Sequence, residues 1–319
     1  LKGEEGFGTL KLFRVDVSAP LHMGEILETK KTDWEEVKQI EDGPLRQSFL
    51  RKGKVNSHRI EQTVRLYSNE QRIELDTIIN WQGEDGFIAL CIPLPFEGEL
   101  IGSTPFGVEG KELSQELYGL VEGSSANIER WRRGAFFAKS FIDWSNGKRG
   151  IAYISQEGDR YYIFDEANGS IYHILINSIL NCEGWEKDIN YQWKGIGMHC
   201  FKGSLIFHKG NWKEGKIYER DMLLRYPLEV IYGDTIEGKA LSPSLPPLCS
   251  FLSLSPDNLL LSTFYREGKY FQLRFFETKG EEVEAKVELP FVIEEAVPVD
   301  FLGNTLKEPE VEVEGNTLY

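Results

Sequence analysis

The chain has 319 residues, 41% of them hydrophobic, with 51 acidic against 36 basic side chains and a formal net charge of −15. That length fits two ordinary domains, or one large β-domain and a small one. The acidic balance argues against a nucleic-acid surface, and no apolar run approaches the roughly 18 residues that a membrane-spanning helix needs.

The chain opens LKGEEGFGTLKLF, without a basic segment followed by an apolar block and without an initiator methionine. No signal peptide is visible, and the N-terminus reads as processed or cut from a longer chain. Thr32–Ile40 (TDWEEVKQI) is a short helical candidate. From Ile60 the pattern has period two. Ile60, Gln62, Val64 and Leu66 share one face, Ser68–Gln71 makes a turn, and Ile73, Leu75, Thr77 and Ile79 return. Glu84–Asp85 sits in a turn, GEDG, as solvated charge. Lys111–Tyr118 (KELSQELY) is a second short helical candidate.

Turn signals recur at Asn146–Gly147, Asn168–Gly169, Glu267–Gly268 and Lys279–Gly280, where glycine supplies the positive φ of tight turns. Leu241–Leu248 (LSPSLPPL) carries three prolines and reads as a connector. It separates a large β-domain, residues 1–240, from a small closing β-domain, residues 249–319. In the latter, Phe251–Gly303 reads as consecutive antiparallel strands. Val283, Ala285, Val287 and Leu289 alternate with charged residues and predict a strand with one face in water. Gly315–Asn316 is a turn, and the arm after it, Thr317-Leu318-Tyr319, looks cut off. Many strands and scarce helix imply an all-β fold of antiparallel sheets packed face to face.

Chemistry-bearing motifs are few. Glycosidic cleavage needs two carboxyl groups flanking one bond, but Glu84–Asp85 and Glu294–Glu295 are adjacent pairs, which point apart on a strand. The histidines, His22, His58, His173, His199 and His208, form no metal-ligand spacing. His199 and His208, nine apart, fall on opposite faces of an uninterrupted strand. Cys91, Cys182, Cys200 and Cys249 show no CxxC and read as reduced thiols of a cytoplasmic protein. Trp185, Trp193 and Trp212 lie in or near polar, glycine-rich loops, where an exposed ring can stack on a sugar.

Six separated stretches, in order, support a family resemblance: IEQTVRLYSNEQRIELDTIINWQGEDG, CIPLPF, STPFGVEG, FAKSFIDWSNGKRGIAYIS, DRYYIFDEANGSIYHILINS and GMHCFKGSLIFHKGNWKEG, followed by Phe251–Gly303. Together they resemble the carboxy-terminal half of glycoside hydrolase family 38, the α-mannosidases. The resemblance implies a large β-supersandwich, similar to that of galactose mutarotase, and a small closing β-sandwich. It places zinc and the nucleophilic aspartate in an amino-terminal catalytic domain whose motifs have no counterpart here, so no cofactor is expected in this chain.

The implied function is a non-catalytic portion of an α-mannosidase-like hydrolase. Its implied partners are the catalytic domain of the same polypeptide and a mannose-containing carbohydrate; neither nucleic acid nor membrane is expected. After IYHILI the family usually carries an arginine, and Asn177 stands there. With Trp185, Asp188 and Trp193 of the following loop, Asn177 is a candidate for the rim of the sugar site. The alternatives are a free-standing carbohydrate-binding module or a mutarotase-like epimerase, which would need a histidine acid and a glutamate base in one cleft.

Overall fold

A computed structural model describes residues 6–15, 26–111, 134–158, 160–165, 169–178, 194–230, 246 and 248–319. The chain divides into two compact units, Leu1–Arg225 and Tyr226–Tyr319.

In the first unit β1 (Leu10–Val15) pairs with β2 (Ile26–Lys31). β3 (Asp33–Asp42), β4 (Arg46–Val55), β5 (His58–Tyr67) and β6 (Arg72–Trp81) form an antiparallel meander. β7 (Gly86–Pro93) joins β1, and β8 (Glu99–Thr104) and β9 (Gly107–Gly110) form a hairpin. There follow β10 (Ala135–Ala138), β11 (Phe141–Ser145), β12 (Arg149–Ser155), β13 (Arg160–Asp165), β14 (Ser170–Asn177), β15 (Gly197–Lys209) and the helix α1 (Ile217–Arg225). They assemble into a six-stranded sheet, β10-β13-β14-β7-β1-β2, and a nine-stranded sheet, β3-β4-β5-β6-β15-β12-β11-β8-β9.

The core lies between these sheets. Leu10, Leu12, Ile88, Leu90 and Ile92 of one meet Leu75, Ile79, Ile142, Tyr153 and Leu205 of the other. Each large apolar side chain buried in this way contributes about 1.5–3 kcal/mol. The six-stranded sheet also buries its second face, with Phe13, Phe87, Ala89, Cys91, Ile163, Tyr172 and Ile174 in one cluster. Both neighbours of each position being apolar, FIALCI and IYHILI show no alternation.

The β5–β6 hairpin has the expected register, Ile60 opposite Ile79 and Leu66 opposite Ile73. Its one buried polar pair is satisfied internally: Gln62 Nε2 donates to Thr77 Oγ1 at 2.8 Å. Thr32–Ile40, in contrast, is not helical but enters β3, an edge strand of the nine-stranded sheet. Irregularities between Trp34 and Glu36 and between Gln39 and Glu41 break its period-two pattern. Ladder bonds to β4 outweigh helix-propensity differences of tenths of a kcal/mol per residue. Beyond Lys111 the second helical candidate lies outside the described residues. Ahead of α1, the helix among the described residues, a turn is closed by a reciprocal pair: Asn211 Oδ1 accepts from the amides of Lys213 and Glu214, and Glu214 returns a carboxylate to the Asn211 amide.

The second unit holds β16 (Ser253–Ser255), β17 (Leu259–Glu267), β18 (Tyr270–Glu277), β19 (Lys286–Glu288), β20 (Val313–Glu314) and β21 (Thr317–Leu318). β17 and β18 form a hairpin through Gly268, whose φ is 60°. The others form the sheet β16-β19-β21-β20. The alternating segment at Val283 makes only the three residues of β19, with Val287 and Leu289 buried. Gly315–Asn316 turns as expected, and Glu312 and Tyr319 exchange two backbone bonds of 3.0 Å. The proposed connector lies largely outside the described residues. No helix among the described residues is long and apolar enough to cross a membrane.

Candidate functional site

Three strand ends converge on one cleft in the first unit, of about 410 Å³. Arg160 begins β13, Leu175, Ile176 and Asn177 end β14, and Lys194, Gly195, His199, Cys200 and Phe201 flank or open β15. A bulge in β14 sets the geometry. The register against β7 shifts between Ile174 and Ile176, and both Leu175 and Ile176 enter the core between the sheets. That extra residue changes the parity of everything after it and places Asn177 opposite Phe87.

The GEDG turn holds both ends of the segment between β14 and β15. Trp81 Nε1 donates to the Lys194 carbonyl at 2.8 Å, and Lys194 Nζ reaches Asp85 Oδ1 at 2.8 Å. The Ser178 amide donates to the Gly86 carbonyl at 2.9 Å, and its hydroxyl to the Glu84 carbonyl. His58 stacks on Trp81 with ring centres 4.0 Å apart. Its Nδ1 accepts the Gln82 amide at 3.1 Å, which leaves Nε2 to carry the proton facing Glu84, 3.8 Å away. Burial holds the His58 imidazole below its ordinary pKa, against the pull of Glu84. Glu84 and Asp85 therefore organise the cleft, where the sequence pattern indicated only solvated charge.

Behind the cleft lies a neutral aromatic layer. Tyr162 stacks on His173 at 4.9 Å, and His173 Nδ1 hydrogen-bonds Tyr153 Oη at 3.1 Å. Burial, with a smaller push from Arg160, lowers the His173 pKa to about 3. Burial also raises both tyrosines far above their usual value. Glu157, which receives the Lys202 amide and the Ser155 hydroxyl, is raised too, because desolvation outweighs those bonds.

The lining carries the guanidinium of Arg160 and the ammonium of Lys194. The Arg160 guanidinium lies 5.7 Å from the centre of the Phe201 ring. Its Nε is buried without a hydrogen-bond acceptor. No aspartate or glutamate occurs among the described lining residues. His199 lies on the opposite face of β15 from His208, as their odd separation requires, and its Nε2 bonds the Gly195 carbonyl at 2.5 Å.

Of the residues singled out in the sequence, Asn177 lines this cleft; Trp185, Asp188 and Trp193 lie outside the described residues. Arg160 and Lys194 went unnoticed because nothing in DRYYIF or WKGIG marks strand ends that meet only through sheet pairing. Among the described residues, no three His, Cys, Asp or Glu side chains come together. The described lining brings one histidine and no glutamate together, and lacks the pair an epimerase needs.

Residues 21–157 match the model of the glycosyl hydrolases family 38 C-terminal domain. Over that stretch the chain is similar to the family 38 domain. The fold extends the likeness across 98% of this chain. An α-mannosidase from Enterococcus faecalis V583 superposes with a TM-score of 0.74 at 14% identity, and a family 38 protein from Enterococcus faecalis with 0.71 at 13%. The chain spans about two fifths of those structures, 38% and 40% respectively. No curated protein matches the sequence.

Proposed function

We propose that this chain is the carboxy-terminal, non-catalytic β-portion of an α-mannosidase-like glycoside hydrolase. In this reading it supports a catalytic domain of the same polypeptide and contributes the Arg160–Asn177 cleft to the rim of its sugar site. The observation that carries the proposal is the family 38 match, joined to a fold likeness that takes in nearly all of this chain but two fifths of each matched structure. Zinc, by the same reading, belongs to the catalytic domain. Cys200 and Cys249 are free thiols, which supports a reducing, cytoplasmic setting.

The test is turnover of an aryl α-mannoside by this chain alone with zinc. No hydrolysis above background is expected. Robust turnover that is lost on substituting Arg160 or His199 would overturn the proposal.

A further inference from the structure

We propose that the cleft is an oxyanion site in which Arg160 anchors the phosphate or carboxylate of an acidic sugar; the sugar part of this proposal rests on the function proposed above. Three observations converge on it. Arg160 is the cation of the lining that forms no ion pair with a described carboxylate, Glu157 acting on it only through space, and its Nε is buried without an acceptor. A buried guanidinium donor left unpaired is costly, and a ligand oxygen relieves that cost.

The second observation is composition. A chain with 51 acidic and 36 basic residues builds a wall holding Arg160, Lys194 and His199 with no acidic side chain among its described members. Ligands of like charge to the rest of the surface are drawn to such a spot because the local field reverses there.

The third is pre-organisation. The Arg160 plane lies near the Phe201 ring, and Lys194 is fixed at its carbonyl by Trp81 and at its ammonium by Asp85. Asp85 pairs with Lys194, which leaves Arg160 as the cation without a bonded carboxylate. Its planar fork suits two oxygens of one phosphate or carboxylate, a geometry a lysine cannot reproduce.

Calorimetric titration of the chain at low salt with inorganic phosphate, mannose 6-phosphate, mannuronate and mannose tests this. At least one anionic sugar should bind about tenfold or more tightly than mannose, the scale of one charge-assisted contact. The phosphate and carboxylate arms identify which oxyanion is preferred. Arg160→Gln should erase the difference, and Arg160→Lys should keep part of it. Raising salt should weaken only the anions. If Arg160→Gln does not fold, the Arg160→Lys and salt arms still decide.

Inorganic phosphate binding that depends on Arg160, with nothing gained from an attached mannose, would sustain the oxyanion site and count against the mannoside reading. Mannose binding as tightly as every anion, or anion binding indifferent to Arg160, would overturn the oxyanion site while leaving that reading intact. Absence of binding by all four probes would overturn it as well.

Discussion

Gly150 offers a sharp test of packing on the nine-stranded sheet. His208 of β15 reaches across β12 to Asp143 of β11, Nε2 to Oδ1 at 2.5 Å, with both side chains buried. It can do so because Gly150, its partner on β12, has no side chain. A methyl group at Gly150 would overlap Cε1 and Nε2 of the ring and lie 2.9 Å from even Nδ1. Gly215 presses on the same ring, where a Cβ would stand 2.6 Å from Nδ1. In Gly150→Ala the ring must retreat by roughly 1 Å or more to regain van der Waals separation, and the bond to Asp143 breaks.

Overpacking of this kind costs about 1–3 kcal/mol. Leaving the buried Asp143 oxygen without its donor adds to it, since a buried acceptor left unsatisfied costs about 1–3 kcal/mol. Against these stands a gain of about 0.4–1 kcal/mol from a less flexible unfolded chain. The net expectation is a loss of about 2–4 kcal/mol. Urea unfolding followed by tryptophan fluorescence measures it in the right place, because all seven tryptophans, Trp34 to Trp212, lie in the first unit. Gly110 is the control: a Cβ there meets nothing within 4 Å, so Gly110→Ala should be neutral or slightly stabilising. The double variant Gly150→Ala/His208→Ala should lose no more than His208→Ala alone, since the clash has gone. A loss below about 0.5 kcal/mol in Gly150→Ala would refute the reasoning.

Further outcomes follow from the same contacts. Trp81→Phe keeps the stack on His58 but removes the bond to the Lys194 carbonyl, and should cost about 1–2 kcal/mol in the same urea assay. Asp221, on the buried face of α1, accepts from Ser140 at 2.8 Å and from Arg225 at 2.6 Å. Asp221→Ala should therefore cost about 3 kcal/mol or more, whereas Leu223→Ala on the exposed side of α1 should stay within about 0.5 kcal/mol. His173 sets a pH dependence. Its folded pKa of about 3 lies below the unfolded value of 6.5, so the unfolded state takes up the proton first. Stability is full above pH 6.5 and falls as pH drops from there toward 3, with a slope of up to about 1.4 kcal/mol per unit from this group. His173→Gln should flatten that part of the profile in urea midpoints measured from pH 4 to 7, and an unchanged slope would remove His173 as its cause.

Much of the fold was legible because alternation is a local property. Ile60 to Ile79 placed one face inward at every second residue, and a partner strand of matching pattern followed after four turn residues. The turn at Gly315–Asn316 was equally local. The errors have physical causes of the same kind. Bulges in β3 interrupt the alternation that would have distinguished TDWEEVKQI from a helix. The two-sided burial of β7 and β14 hides their period, since FIALCI is equally apolar on both faces.

The cleft divides in the same way. Asn177 was reachable from sequence through the family resemblance, because it follows a recognisable strand. Arg160 was not, because its neighbours in the cleft, Asn177 and Phe201, are 17 and 41 positions away. By itself the sequence determined the all-β class, the hairpins and the family resemblance, all carried by residues close together along the chain. Only the tertiary structure decided which charges share a cleft, because the order of strands across a sheet and one bulge in β14 fix which distant side chains meet, and neither leaves a mark at the residues concerned.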